Sequence, residues 1–564
     1  MSDKIIDNLS ENFSICLLSN ENINSFLEEF KEIDKKHFKL ICEQYGIKNR
    51  NITLIIEHAY IDAVYRDVYY NYWSRSHFDW PRYCKRLFLF CGEHEKNEFL
   101  DYKNQDSLQK DFVGAIVLRP SYSISETDHT FGRTLLDPFK MVDDSGKAKF
   151  IYLKTAEFQV HLLGLTLSVK AFPFLSQDGV AMRCAETAVF LLCDYASKLP
   201  LYSRILPSDI QDKLKAHSNE RILPSRGLSS LDISFLVKEF GFSPMLYVKD
   251  EDEVVKDYEV DNKFSWHPTN FKDWFHYYIE SGLPILSIIG RDDFDYKHAI
   301  LVIGHGKIEN KLSDIRKRKI GKLVCIDTAD LYSTYILQDD NRTPYVEEQM
   351  DKFTEDDYSL DAYVVPLEKH AFLDASSAVG IFDPIIYEYG QTIEDKICEL
   401  NTEYNKIKLT SDDQNIAEIL EGLKISEDNP LTLRYYMTNS AQLKKHRINS
   451  ALKIEDKLFY ADTLMPKVVW VSEISTYKLS KSGYILGEII LDATASNKSK
   501  LNSIILFRLS NEGGCRLPNE EFKDFNINLA NGPDKLSPLF SAFSNFEYSN
   551  FNNINKEGDC DDIR

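Results

Sequence analysis

Apolar residues recur along this chain with two different periods, and the alternation between them predicts its elements. The stretch QDGVAMRCAETAVFLLCDYASKL, residues 177–199, opens on a Gly-containing turn. It then sets Ala188, Val189, Leu192 and Tyr195 at helical spacing, with Cys184 at the helix mouth. Upstream, IEHAYIDAVYRDVYYNYW places Ile56, Tyr60, Ala63, Val64 and Val68 on one face, which predicts a mainly helical region over residues 1–110. His58 and His77 lie among aromatics there and read as structural histidines, while Cys84 and Cys91 flank the apolar LFLF and read as buried. From about residue 111 the period becomes strand-like: DFVGAIVLRPS is a buried strand ended by Pro120, and HTFGRTLLDP follows with Gly132 and Arg133 at a turn. KFIYLKTAEFQVHLLGLTLSVKAFPF gives two or three strands leading into Gln177.

Two short helices follow. In SSLDISFLVKEFG, Ser229 and Asp232 are spaced as a capping box and Gly241 is the stop. In FKDWFHYYIESG the buried stripe is Phe271, Trp274, Phe275, Tyr278 and Ile279, ended by Gly282. LPILSII and the run Ala299–Ile303 of YKHAILVIGHG read as buried strands, with Gly304 and Gly306 turning the second. LVCIDTAD and STYILQDDNRTPY follow as further strands. Beyond residue 370, TIEDKICELNTEYNKIKL is helical, whereas PKVVWVSEIS, GYILGEIILDATAS and NSIILFRLS are strands, with Trp470 and Glu473 as sheet residues. The expected class is α+β. Its expected units are a mainly helical region 1–110, a central domain 111–370, an α+β domain 371–535 and a disordered, Asn-rich tail 536–564.

Composition narrows the function. At 43% hydrophobic and 27% charged, the chain has the makings of ample globular core. The net charge of −21 (67 basic against 88 acidic residues) disfavours nucleic acid and anionic membranes as partners. No apolar run reaches the roughly 18 residues that span a bilayer, and MSDKIIDNLSENFSICLLSN lacks the pattern of a signal peptide. The ten cysteines form no CxxC pair, which argues against a zinc site or a disulfide framework and for a reduced, cytoplasmic setting.

Candidate chemistry centres on Cys184. A thiol at a helix N-terminus feels the positive end of the macrodipole, which favours the thiolate. The Gln177 amide, seven positions upstream, is a candidate oxyanion donor beside that nucleophile. His298 opens a strand that anchors it at a cleft. Arg119 and Arg133 have the chemistry to bind a carboxylate or phosphate, although such arginines more often tie loops to nearby acids. The basic insert KLSDIRKRKIGK, residues 311–322, reads as a solvated hairpin tip.

Taken together, residues 170–345 resemble the papain-like cysteine peptidase superfamily, and within it the C39-like bacterial group. Four features carry the resemblance: Gln177 ahead of Cys184 at a helix start, the helix in SRGLSSLDISFLVKEFGF, IESGLPILSI before the histidine strand, and HAILVIGHG itself. No marker of a fused ABC transporter accompanies them. The resemblance implies a papain-like core, in which a helix bearing the cysteine packs on a small antiparallel sheet. It implies the order Cys184, His298, then an Asp or Asn on the next strand, acting on a protein or peptide substrate without metal or organic cofactor. The family's glutamine usually stands six before the cysteine; here it stands seven before. Asp339, Asp340 and Asp327 are the candidates for the acid. Asp339 is favoured, because side chains alternate along a strand and Asp340 is then left to cap the turn NRTP. The activity implied is peptide or isopeptide hydrolysis through a thioester. The alternatives are deamidation or transglutaminase-type acyl transfer, a toxin or defence effector, and an inactive papain-like scaffold for protein binding. Cys193, two and a half helical turns beyond Cys184, points away from it and is expected to be structural.

Overall fold

The computed structural model describes residues 6–30, 33–77, 79–120, 131–217, 222–249, 271–291, 294–308, 310–320, 323–349, 359–408, 414–450, 452–495, 503–515, 537 and 539–546. It is a mixed α+β protein with three large sheets. No helix among the described residues is long and apolar enough to cross a membrane.

The N-terminal region is built on strands rather than helices. Ile6–Asn8, Phe13–Leu18, Ile52–Tyr60, Cys84–Cys91, Phe112–Leu118 and Phe131–Leu136 pair in chain order as one antiparallel sheet. The stretch expected to be one helix divides at Asp62. The β-branched run Ile52–Ile56 goes to the sheet, and the Asp62 carboxylate accepts the Tyr65 N–H at 2.8 Å to start the helix Ala63–Asn71. The boundary expected at 111 falls inside this sheet, because Phe112–Leu118 and Phe131–Leu136 are its last two strands.

The central sheet runs in the order Ser243–Val248, Ser359–Leu367, Ile285–Arg291, Phe294–His305, Thr334–Gln338, Val346–Gln349. All of its pairs are antiparallel, with Tyr152–Leu153 added beside Gly304 and His305. Gly304 does not turn the strand. It makes room for Tyr152, whose carbonyl oxygen lies 2.0 Å from where a Cβ would stand. The histidine strand is buried on both faces, which explains its unbroken apolar run. Leu301 and Ile303 share a core with the helix Cys184–Ala196, and Ile300 and Val302 share another with the third sheet.

The third sheet takes Arg318–Ile320, Leu323–Asp327, Leu431–Asn439, Val468–Thr476, Gly487–Asp492, Ile504–Leu509 and Glu512–Cys515. Its first two strands precede residue 370, so the expected boundary there is crossed as well. The pairing of Cys325–Asp327 with Leu431–Leu433 is parallel. The basic insert leads into the hairpin Arg318–Ile320/Leu323–Cys325 and is solvated at Lys311, Ser313, Asp314, Lys317 and Lys319, but two of its arginines are anchored. Arg316 Nη2 donates to Asp273 at 2.6 Å and Asp330 at 2.8 Å, and buried Arg318 lies 3.5 Å from Asp327. The tail expected to be disordered from 536 packs over its described part: Asn545 donates to the Glu280 carbonyl at 3.2 Å, and Phe543 N–H donates to Glu473 at 2.9 Å. Residues 547–564 lie outside the described residues.

Candidate active site

The turn before Cys184 is shaped by one carboxylate. Asp178 Oδ1 accepts the N–H groups of Val180 (2.9 Å), Ala181 (2.8 Å) and Met182 (2.9 Å), while Gly179 takes a φ of +71°. Upstream, Arg119 Nη2 grips the carbonyls of Ser176 at 2.8 Å and Gln177 at 3.1 Å. Cys184 is the first residue of the helix Cys184–Ala196, a half-buried free thiol. Two residues on, buried Glu186 accepts the Arg183 N–H at 3.3 Å and the Ser225 hydroxyl. Burial raises its pKa, against the pull of those donors. On the far turn, Arg133 forks onto Asp194 at 2.7 and 3.2 Å, tying the cysteine helix to the first sheet. Arg133 therefore takes the commoner role, tied to an acid, whereas Arg119 ties the chain through main-chain carbonyls. Cys193 is buried, and burial drives its thiol far above the ordinary range.

His298 lies opposite Ile289 on the histidine strand. The neighbouring strand pairs Leu301 with Gln338, so the residues just after Gln338 return to the level of His298. His298 Nε2 is 2.9 Å from Asp339 Oδ1 and 3.5 Å from Asp340 Oδ1. Cys184 stands near enough to the ring to favour its charged form. Because Nε2 is engaged by Asp339, Nδ1 is the nitrogen left for the thiol; it is buried and has no hydrogen-bond partner among the described residues. Burial works against a charged imidazole, but Asp339, then Cys184 and Asp340, outweigh it and hold His298 well above the usual histidine pKa. Burial likewise opposes charge on Asp339, yet the facing imidazolium keeps its carboxyl below the ordinary range.

Asp327 is engaged elsewhere. It is buried under the Tyr277 hydroxyl and Arg318 and accepts the Ala329 N–H at 2.9 Å; burial pushes its pKa up to about 7. Gln177 does reach the site. Its Nε2 donates to Asn341 Oδ1 at 2.6 Å, and the Asn341 N–H in turn donates to Asp339 Oδ1 at 3.0 Å.

The acid turn is pinned by residues that no sequence pattern singled out. Tyr345 takes a φ of +59°. Its hydroxyl accepts the Phe172 N–H at 2.9 Å and directs its hydrogen between the carbonyls of Leu136 (2.8 Å) and Phe172 (2.9 Å). Gln44 adds bonds to Thr343 at 3.4 Å and the Pro344 carbonyl at 3.3 Å. Only its place at the start of the turn NRTP marked Asn341 beforehand, and Tyr345 and Gln44 carried no signal because their partners are distant in sequence.

Among the described residues, His298, Asp339 and Asp340 are also the group whose ligand atoms lie within 4.8 Å of one another, a spacing that can hold a metal ion. No family model matches the chain, and no curated protein matches it.

Proposed function

We propose that this protein is a papain-like thiol hydrolase that cleaves a peptide or isopeptide bond in a protein or peptide substrate. One observation supports this above the others: a cysteine at the first position of a helix stands near enough to a buried histidine to favour its charged form, and one nitrogen of that ring is held by a buried aspartate while the other has no hydrogen-bond partner among the described residues. In this mechanism Cys184 Sγ attacks the substrate carbonyl carbon as the thiolate. The carbonyl electron pair moves to oxygen, where the Cys184 backbone N–H and the Gln177 amide stabilise it. His298 passes its proton to the leaving amine, and Asp339 keeps the ring in the tautomer and orientation this needs. Water, deprotonated by His298, then opens the thioester and releases a carboxylate. An amine in place of water would give transamidation through the same intermediate. The chemistry needs neither metal nor organic cofactor.

The test is an acid-quenched incubation of the protein with a mixed peptide library, read by mass spectrometry for cleaved peptides and for acyl adducts on Cys184. The expectation is cleavage that disappears in Cys184→Ala and His298→Ala and is indifferent to a chelator. Cleavage that survives Cys184→Ala, or that EDTA abolishes and zinc restores, would sink the proposal. The second outcome would turn attention to a metal held by His298, Asp339 and Asp340.

A further inference from the structure

We infer that Asn341 is a positioning residue that aims the Gln177 amide at the developing oxyanion; this rests on the reading of Cys184 as the nucleophile. A glutamine side chain has several rotamers, and an oxyanion donor is worth most when it is already in place. The amide nitrogen of Gln177 carries two hydrogens. One is taken by Asn341 Oδ1 at 2.6 Å, a short bond that sets the plane of the amide and leaves the second N–H available. Asn341 is itself fixed from the acid side by its backbone N–H on Asp339 Oδ1 at 3.0 Å, and its Nδ2 stands 3.4 Å from His298 Nε2. The main chain of Gln177 is held independently by Arg119 at its carbonyl. The side chain of Gln177 is thus held at its amide end by the same turn that carries the acid. This arrangement also accommodates the seven-residue spacing between Gln177 and Cys184: Asp178 folds the intervening residues into a tight turn, and Asn341 sets the direction of the amide.

Two probes separate this role from general support of the site. With p-nitrophenyl acetate, sulfur attacks the carbonyl carbon, an oxyanion forms, and p-nitrophenolate leaves an acetyl thioester on Cys184. With iodoacetamide, sulfur displaces iodide from carbon and no oxyanion forms. The ratio of acylation to alkylation rate at Cys184 in the full-length protein therefore reads the oxyanion site alone. Asn341→Ala is expected to lower that ratio on the order of tenfold, less than the roughly 10²–10³ typical of deleting a donor outright. Asn341→Asp, whose carboxylate still accepts from Gln177, is expected to stay within about threefold of the parent ratio. Gln177→Ala combined with Asn341→Ala is expected to be no worse than Gln177→Ala alone, since a residue acting only through another adds nothing once that other is gone. A ratio in Asn341→Ala within about twofold of the parent, or losses that multiply in the double variant, would overturn the inference while leaving Cys184 a nucleophile. If Asn341→Ala fails to fold, Asn341→Leu keeps the branched heavy-atom skeleton without the acceptor and reads the same ratio. A Cys184 inert to both probes would overturn the inference by removing the nucleophile beneath it.

Discussion

His298 has one aspartate at 2.9 Å and a second at 3.5 Å, both buried, and the nearer one governs its charge. Its folded pKa is raised, so its contribution to stability is complete below the ordinary histidine value of about 6.5 and is lost as pH climbs through the raised value. Asp339 is depressed, so its contribution is present above about 3.8 and is lost as pH falls through the lowered value. Between those limits the pair is intact. In Asp339→Asn the imidazolium loses its main support, and the alkaline limb of kcat/KM is expected to move to lower pH. Turnover is expected to fall by about 10²–10⁴, because the tautomer is no longer enforced. Asp340→Asn is expected to shift the same limb less. A pH–rate profile for each variant checks this, and equal shifts would contradict the assignment. The proximity of Asp339 was legible in the sequence, because the antiparallel return of STYILQDD brings it level with His298; alternation did not send Asp340 away, since it stands 3.5 Å from the same nitrogen, and Asp339 rather than Asp340 accepts the turn's Asn341 N–H. The location of Asp327 was not legible, since its partners Tyr277 and Arg318 are unremarkable in sequence.

At the scale of elements, the acid turn is held from outside its own hairpin. Tyr345→Phe keeps the ring and removes the hydroxyl that joins Phe172 to Leu136, leaving the Phe172 N–H buried without its partner. A cost of about 1–3 kcal/mol is expected in denaturant unfolding, with a fall in turnover as the turn loosens. Unchanged stability would mean that the hydroxyl is dispensable. The cysteine helix, the capping box at Ser229 and the histidine strand were all readable, because each has a strong local period or cap. Of the first sheet, only the strand Phe112–Leu118 was read as a strand. Ile56, Tyr60, Val64 and Val68 fit a helical face by spacing alone, and only the Asp62 cap divides the strand from the helix.

Over the whole molecule, the first sheet and the residue that follows its fifth strand touch three parts of the candidate site. Arg119 holds Gln177, Arg133 holds the cysteine helix, and Leu136 receives Tyr345. A chain lacking residues 1–136 is therefore expected to lose activity; a gain would identify that region as an inhibitory cover instead. The central and third sheets are joined by buried Glu280, which accepts from Arg434 and His305, while Arg434 also donates to Glu473 at 2.7 Å. Arg434→Met removes the arginine shared by two buried carboxylates, leaving Glu280 with His305 and Glu473 with Tyr436 and the Phe543 N–H, and is expected to cost up to about 3–5 kcal/mol, measured by denaturant unfolding. These joins escaped the sequence because they link residues 25 to 209 positions apart, where no local pattern reaches. The most direct measurement of the whole arrangement is iodoacetamide alkylation at pH 6, followed cysteine by cysteine by mass spectrometry. An ordinary thiol is less than about 1% ionised there. Cys398 is exposed and serves as the internal reference, whereas Cys184 is half-buried. Cys184 is expected to react at least about tenfold faster than Cys398 and to lose that advantage in His298→Ala. A Cys184 that reacts no faster than Cys398, with or without His298, would contradict its role as the nucleophile.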